Sequence, residues 1–338
     1  MNSSMRTLLT TVTAVAALCL GGCDAGDGDM LFLRNRGADM PVWVRGDGAS
    51  DVLILAVHGG PGGSSFTLFN APPFQRLEAR YGVAYWEQRA SGMAQGHADT
   101  STLTVAQFRE DLGLVVDLLH TRYPTRKLYL LGYSWGGLLT AEYLADASSR
   151  GKVRGWIDAA GSVDVPLTLR LGRDWAVAAA ERRAREGDRD AADALDWYRA
   201  NPAIDRTNIT AHLTWVSKLG GGSTTGRSAV NGAVIFDSPF DPFTFSANAS
   251  HTLDVMFPQI ERENAAPSLR AVTVPALILA GEADGQVPAG VSDEVFASLG
   301  TPDADKEIVH IPAAAHALHL DAPDAYAERI TRFIERTR

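Results

Sequence analysis

The sequence predicts an α/β protein, a mostly parallel sheet with helices on both faces and an inserted, largely helical cap. Three observations lead there. Short continuous apolar runs recur at 52–57, 83–86, 127–133 and 153–160, as expected for strands buried on both faces. Helix-periodic or small-residue segments separate the later ones, which is the alternation of a parallel sheet. The alternation lapses between residues 162 and 268, then resumes with strand-like runs at 276–280 and 307–311 and a closing helix over 325–334.

The first 29 residues read as an address. Residues 1–6 are short and carry one positive charge, and residues 8–20 form an apolar stretch of 13 broken only by threonine. A membrane-spanning helix needs about 20 apolar residues, so the run fits a secretory signal instead. It ends in Leu20-Gly21-Gly22-Cys23, which resembles the bacterial lipobox. That resemblance implies cleavage after Gly22, a diacylglycerol on the Cys23 thiol, and a protein tethered to a membrane of the cell envelope outside the cytoplasm. Of the two cysteines, Cys19 and Cys23, only Cys23 then remains. No disulfide is possible and the fold must rely on its core. Residues 23–29 read as a flexible acidic tether.

Composition agrees with a globular enzyme or binding domain. A hydrophobic share of 46% and a charged share of 21% exclude a disordered chain and a polytopic membrane protein. With 31 Lys and Arg against 40 Asp and Glu, the net charge of -9 argues against nucleic acid as a partner.

Residues 30–33 and 40–45 are short extended segments joined through Arg36-Gly37-Ala38-Asp39, an opening hairpin. The strand at 52–57 runs into a glycine loop, His58-Gly59-Gly60-Pro61-Gly62-Gly63. Thr104-Val105-Ala106-Gln107 has capping-box spacing, followed by Val105, Phe108, Leu112, Val115 and Leu119 on one helical face. A strand at 127–133 leads through a glycine-rich turn to a small-residue helix at 138–145. We divide the chain into a core of residues 30–161 and 269–338 around a cap of residues 162–268. The cap carries Trp175, Trp197, Tyr198, Trp215, Phe236, Phe240, Phe243, Phe245 and Phe257. Many should form its own core and some should line an apolar pocket.

The chemistry centres on Gly132-Tyr133-Ser134-Trp135-Gly136-Gly137, between a buried strand and a helix. This is where a nucleophile elbow belongs, with the serine on a sharp turn and glycines relieving the crowding. A serine needs a base, and the base needs a carboxylate to fix its tautomer. Asp284, in the loop after the strand at 276–280, is the expected acid, with Glu282 its competitor. His316, in the loop after the strand at 307–311, is the expected base, whereas His319 is expected to pack or face solvent. His97, His120, His212, His251 and His310 have no comparable context. The oxyanion donors are expected at the amides of Trp135, on the first turn of the helix, and Gly60, in the glycine loop. The glycine loop lacks the G-x-G-x-x-G of a dinucleotide site, and H-E-x-x-H is absent, so no cofactor or metal is expected.

These residues resemble the α/β-hydrolase superfamily, and within it the proline iminopeptidase-like branch. His58-Gly59-Gly60-Pro61-Gly62 is identical to that branch's HGGPG loop, and Glu87-Gln88-Arg89-Ala90-Ser91-Gly92 is similar to its DQRGSG stretch. Gly132 to Gly136 is similar to its G-x-S-W-G segment, and His316 to Pro323 to its closing GH-x-x-H-L-E-x-P run. The resemblance covers residues 40–160 and 270–336, and implies that the first histidine of that run is the base and that Gly60 and Trp135 hold the oxyanion. Together with the lipobox-like sequence, it implies a lipid-anchored serine hydrolase acting on a small molecule or short peptide, first of all an aminopeptidase of proline iminopeptidase type. Peptidases of that branch grip the substrate amine with cap glutamates in a recognisable context. Here Glu181, Glu186, Asp237, Asp241, Glu261 and Glu263 sit in no such motif. Carboxylester or lactone hydrolysis is the alternative, and a non-catalytic binding lipoprotein the reading from another class.

Overall fold

The computed structural model describes residues 28–338 apart from Asn70, Arg150, Asn231 and Asp237. The predicted signal peptide, Cys23 and most of the tether lie outside the described residues. The chain opens with an antiparallel hairpin, β1 (Asp29–Asn35) and β2 (Ala38–Gly46). Its turn is tighter than predicted, because Ala38 and Asp39 already pair with Asn35 and Arg34. There follow β3 (Val52–Val57), α1 (Pro72–Glu78), β4 (Gly82–Trp86), the short β5 (Gln95–Gly96), α2 (Val105–Arg122), β6 (Lys127–Tyr133), α3 (Trp135–Ala145) and β7 (Gly155–Ala159). The strands join in the order β1-β2-β4-β3-β6-β7-β8-β9, with β8 (Ala276–Gly281) and β9 (Lys306–Ile311) after the cap and β5 paired on β2. From β4 through β9 along that order every pairing is parallel.

The strand sequences follow from burial on both faces. In β3, Leu53, Leu55 and Val57 join a core with Phe108, Leu112 and Val115 of α2, while Val52, Ile54 and Ala56 pack into the opposite core. The second core is closed by Phe74 of α1 and by Ile330, Phe333 and Ile334 of α11 (Pro323–Thr337). Both side-chain directions meet a hydrophobic layer, so the period-2 signal vanishes into a continuous run. The capping box at Thr104 forms as expected, its hydroxyl accepting from the Gln107 amide at 3.2 Å. The short helix α1 and α9 (Ala289–Ser298) were not anticipated. Seven residues opening on two prolines, in the case of α1, give too little periodicity to read.

Between β7 and β8 the chain leaves the sheet and builds the cap from α4 (Val165–Arg185), α5 (Arg189–Ala200), α6 (Ile209–Lys218), α7 (Gly232–Phe236) and α8 (Pro242–Ile260). The helices α4, α5 and α6 share a small core of their own, in which Ala176, Ala179, Ala180, Ala191 and Ala194 pack around Tyr198, Val216 and Leu219. Alanine lets these helices approach closely, which explains an Ala-rich segment that is otherwise heavily charged.

Behind the sheet edge lies a buried ion pair. Arg89 and Asp111, both fully buried, meet in a two-pronged contact whose Nη2–Oδ1 arm is 2.8 Å. Asn35 and Gln107 donate to the same carboxylate, and Thr102 accepts from the guanidinium. Removing one partner strands the other charge in the core. We therefore expect Asp111→Ala to lower unfolding free energy by about 3 to 5 kcal/mol in urea denaturation. A loss below about 1 kcal/mol would show the guanidinium finding water or a new partner.

Candidate active site

The end of β6 sets the site. Ser134 follows directly, with φ 56° and ψ -120°, a conformation non-glycine residues avoid. Its neighbours hold it there. The Ser134 amide donates to Ala159 O at 3.2 Å, and Ser134 O accepts from Gly137 N at 2.8 Å and Ser162 N at 3.0 Å. The helix starts at Trp135, where the sequence places the expected oxyanion amide, so the glycine-rich turn ahead of 138–145 is its first turn. Gly136 is required by close approach, since a Cβ there would run into the carbonyl oxygen of Val57 at the end of β3.

Two loops at the same edge bring up the other groups. Asp284, in the loop after β8, is almost fully buried. Its Oδ1 accepts from the amides of Gln286 and Val287, both at 2.8 Å, and its Oδ2 lies 2.9 Å from His316 Nδ1. One oxygen thus fixes the carboxylate and the other fixes the imidazole. A carboxylate only accepts, so Nδ1 carries a proton, and in the neutral imidazole the lone pair is then on Nε2. Tyr133 supports His316 from below, its ring 5.1 Å away and its hydroxyl donating to His316 O at 3.3 Å. Glu282, the competing acid, is exposed.

His319 takes the packing role expected for it. It lies on α10 (Leu318–Asp321), buried against Phe74, Tyr133 and Tyr326. Burial, with His316 nearby, lowers its pKa to about 4 and keeps it neutral.

Gly60 and Trp135 line one cavity together with Ser134 and His316. A link between the segments that carry Gly60 and Trp135, given no role by the sequence, is Gln88. Gln88 spans them: its amide group donates to His58 O at 3.0 Å, and its carbonyl accepts from the Trp135 indole at 2.9 Å. His58 donates from Nδ1 to Gly59 O at 2.7 Å and accepts from the Gln88 amide at 3.2 Å. Burial drops its pKa to about 4, so it stays a neutral relay. Glu87 accepts from Ser65 N at 2.7 Å, Met93 N at 2.6 Å and the Ser64 hydroxyl at 2.9 Å, which closes the loop beyond the glycines. The similarity to DQRGSG marked the place but assigned no role.

The cavity has a volume of about 530 Å³. Its walls are largely apolar, with Val165 and Leu169 from α4, Leu213 from α6, and Phe245, Leu253 and Phe257 from α8. Of the cap aromatics, Phe245 and Phe257 line it, Tyr198 lies in the cap core, and Phe236 and Phe243 are exposed. His212, given no context by sequence, reaches the cavity wall and pairs through Nδ1 with the Tyr198 hydroxyl at 2.8 Å. Burial lowers its pKa to about 4. Only the packing of α5 on α6 brings that pair together, and no local pattern announces it.

Beneath the elbow, Asp158 of β7 is fully buried, and burial pushes its carboxyl up to about 7, with the amide of Gly161 opposing. An unfolded aspartate ionises near pH 4. From about pH 4 to about pH 7 the native state therefore holds a proton that the unfolded chain has lost, and this residue's share of stability falls as pH rises. The variant Asp158→Asn should gain on the wild type in urea midpoint between pH 5 and pH 8. A constant difference across that interval would mean that Asp158 titrates normally.

Comparison with known proteins accords with this geometry. Residues 54–329 match the model of the alpha/beta hydrolase family. The chain is 25% identical over 309 residues to the probable aminopeptidase YbaC of Bacillus subtilis, covering 86% of this chain and 91% of that one. Among solved structures, the proline iminopeptidase of Mycobacterium smegmatis superposes with a TM-score of 0.65 at 17% identity, covering 91% of this chain and 98% of that one. The esterase of Exiguobacterium antarcticum superposes at 0.56 and 17% identity, covering 91% and 99%. Sheet order, elbow and family match agree, and the chain belongs to the alpha/beta hydrolase family, resembling its proline iminopeptidase-like members.

Proposed function

We propose that this protein is a serine hydrolase working through an acyl-enzyme, with Ser134 as nucleophile, His316 as general base and Asp284 as its orienting acid. The observation that carries the reading is the 2.9 Å contact of Asp284 with His316 Nδ1, in a cavity shared by His316, Ser134, Gly60 and Trp135. His316 Nε2 takes the Ser134 proton as Oγ attacks the substrate carbonyl carbon. The carbonyl oxygen becomes an oxyanion held by the amides of Gly60 and Trp135, each worth about 3 kcal/mol in the transition state. The imidazolium then protonates the leaving group, and water repeats the sequence to release the acid.

Substrate choice follows from the walls. A cavity of this size and apolarity accepts an uncharged acyl group, and its neutral polar groups include Ser162, Thr168 and His212. Four cap carboxylates lie outside the cavity lining. Glu181 and Glu186 are exposed, Asp241 caps α8 by accepting from Phe243 and Thr244, and Glu261 lies beside Arg262. Carboxylic esters, lactones included, are accordingly the first substrate class. Aminopeptidase action is the second reading, favoured by the likeness to YbaC across most of both chains. Attachment to an envelope membrane through a lipid on Cys23 belongs to the same proposal and rests on the lipobox-like sequence.

A fluorophosphonate probe should label the wild type and leave Ser134→Ala unlabelled, with kcat on p-nitrophenyl esters falling at least about a thousandfold. A folded wild-type protein that never labels would favour a binding module. Esters should be cleaved faster than Pro- or Ala-anilides, and blocking the anilide's amine should matter little. Loss of activity on blocking would instead establish the aminopeptidase reading. For the anchor, Cys23→Ala should move the protein out of the membrane fraction, and unchanged fractionation would remove the lipid.

A further inference from the structure

The cap returns to the catalytic edge at one place that the mechanism leaves unused. After α6 the chain runs through Gly220-Gly221-Gly222-Ser223-Thr224-Thr225, and this loop touches both loops that carry the expected acid and base. Gly221 O accepts from Gly285 N, next to Asp284, at 3.1 Å, and lies 3.4 Å from the amide of His316 itself. Gly222 O accepts from Ala317 N at 2.9 Å, and the Thr224 hydroxyl donates to Ala313 O at 2.8 Å. Gly221 sits too close for any side chain, because a Cβ would lie 2.7 Å from the Trp175 ring and 2.8 Å from Gly285 Cα.

The strongest tie is a carboxylate. Asp321, at the end of α10, accepts five hydrogen bonds from two directions. The cap loop gives four: the Ser223 hydroxyl at 2.6 Å, the Thr224 amide at 3.0 Å, and the Thr225 amide and hydroxyl at 3.2 and 3.0 Å. The base loop gives the fifth, the amide of Ala315 at 2.9 Å, one residue before His316. Burial pushes the Asp321 carboxyl up, but these donors together hold it below its ordinary value and so favour its ionised form.

We propose that Asp321 is a positioning residue through which the cap sets the register of the His316 loop, so that seating of the cap and assembly of the base are one event. The proposal rests on the reading of Ser134, Asp284 and His316 given above. Its physical basis is that the base must be held to within a fraction of an ångström, and a displacement of about 1 Å can cost a hundredfold in rate. The His316 loop has few side chains of its own to fix it, since residues 313–315 are alanines. Through Asp321 the cap loop adds a side-chain anchor to a loop otherwise held mainly by backbone hydrogen bonds.

Three variants of the full chain test the link, read by kcat and KM on a p-nitrophenyl ester, by the rate of fluorophosphonate labelling, and by circular dichroism. Asp321→Ala should lower kcat and labelling by about ten- to a hundredfold while KM changes little. The cap-side double variant Ser223→Ala/Thr225→Val removes donors that never touch the base loop, and it should lower kcat in the same way. Combining the two should add little to either, because both break one connection. Asp321→Glu, which restores a carboxylate, should recover part of the activity. Wild-type kcat in the cap-side variant, or fully additive losses on combination, would overturn the proposal even with Ser134→Ala inactive. Where Asp321→Ala fails to fold, the cap-side variant decides. Residual turnover in Ser134→Ala would instead strike the underlying catalytic reading.

Discussion

The backbone at Ser134 is the constraint on which the rest depends. A non-glycine residue at φ 56° and ψ -120° costs on the order of 1 to 3 kcal/mol and persists only where the surroundings leave no alternative. Here β6 is pinned between β3 and β7 on one side of the bend, and α3 is packed between sheet and α2 on the other. Chain direction reverses within one residue, the serine side chain stands at the floor of the cavity, and the next amide opens a helix. The parallel sheet matters to the chemistry for this reason. It places the C-terminal ends of β3, β6, β8 and β9 along one edge, so that the glycine loop, Ser134, Asp284 and His316 arrive there from four separate strands.

Rigidity at that edge comes from buried polar groups rather than from the apolar core alone. Glu87, Gln88 and Arg89 follow β4 and point three ways, into the loop after the glycines, between His58 O and the Trp135 indole, and back to Asp111. Each is fully buried and each is met by several partners. Groups of this kind add modestly to stability when satisfied and are costly to leave unsatisfied, so they select one arrangement over its neighbours. An oxyanion site needs that selection, because its amides must await the charge with no reorganisation at the moment of reaction.

The cap is built to a different standard. Its own core is thin and alanine-rich, and its α8 contributes Leu253 and Phe257 to the cavity wall while leaning on α2. The cavity is therefore a boundary between the sheet edge that carries Ser134 and a helical layer, with walls that are largely apolar and, among the described residues, present no carboxylate. The 220–225 loop ties that layer to the loops that carry Asp284 and His316.

Much of the fold and the candidate site was legible in the chain. Continuous apolar runs give buried strands because both faces of a parallel sheet are covered, and Thr104 with Gln107 marks a helix start by local hydrogen bonding. Ser134, Asp284 and His316 follow β6, β8 and β9 in chain order, the placement expected from the sequence, and Gly136 records a contact that no larger residue tolerates. What the chain by itself did not disclose is everything produced by packing between distant segments. The span of Gln88 between Trp135 and His58, the pair of His212 and Tyr198, and the five donors around Asp321 join segments whose local patterns do not name the partner. Periodicity and motif spacing report which way a residue faces within its own element. Which partner it meets is decided when the layers close, because hydrogen bonds across loops depend on positions fixed by the whole sheet.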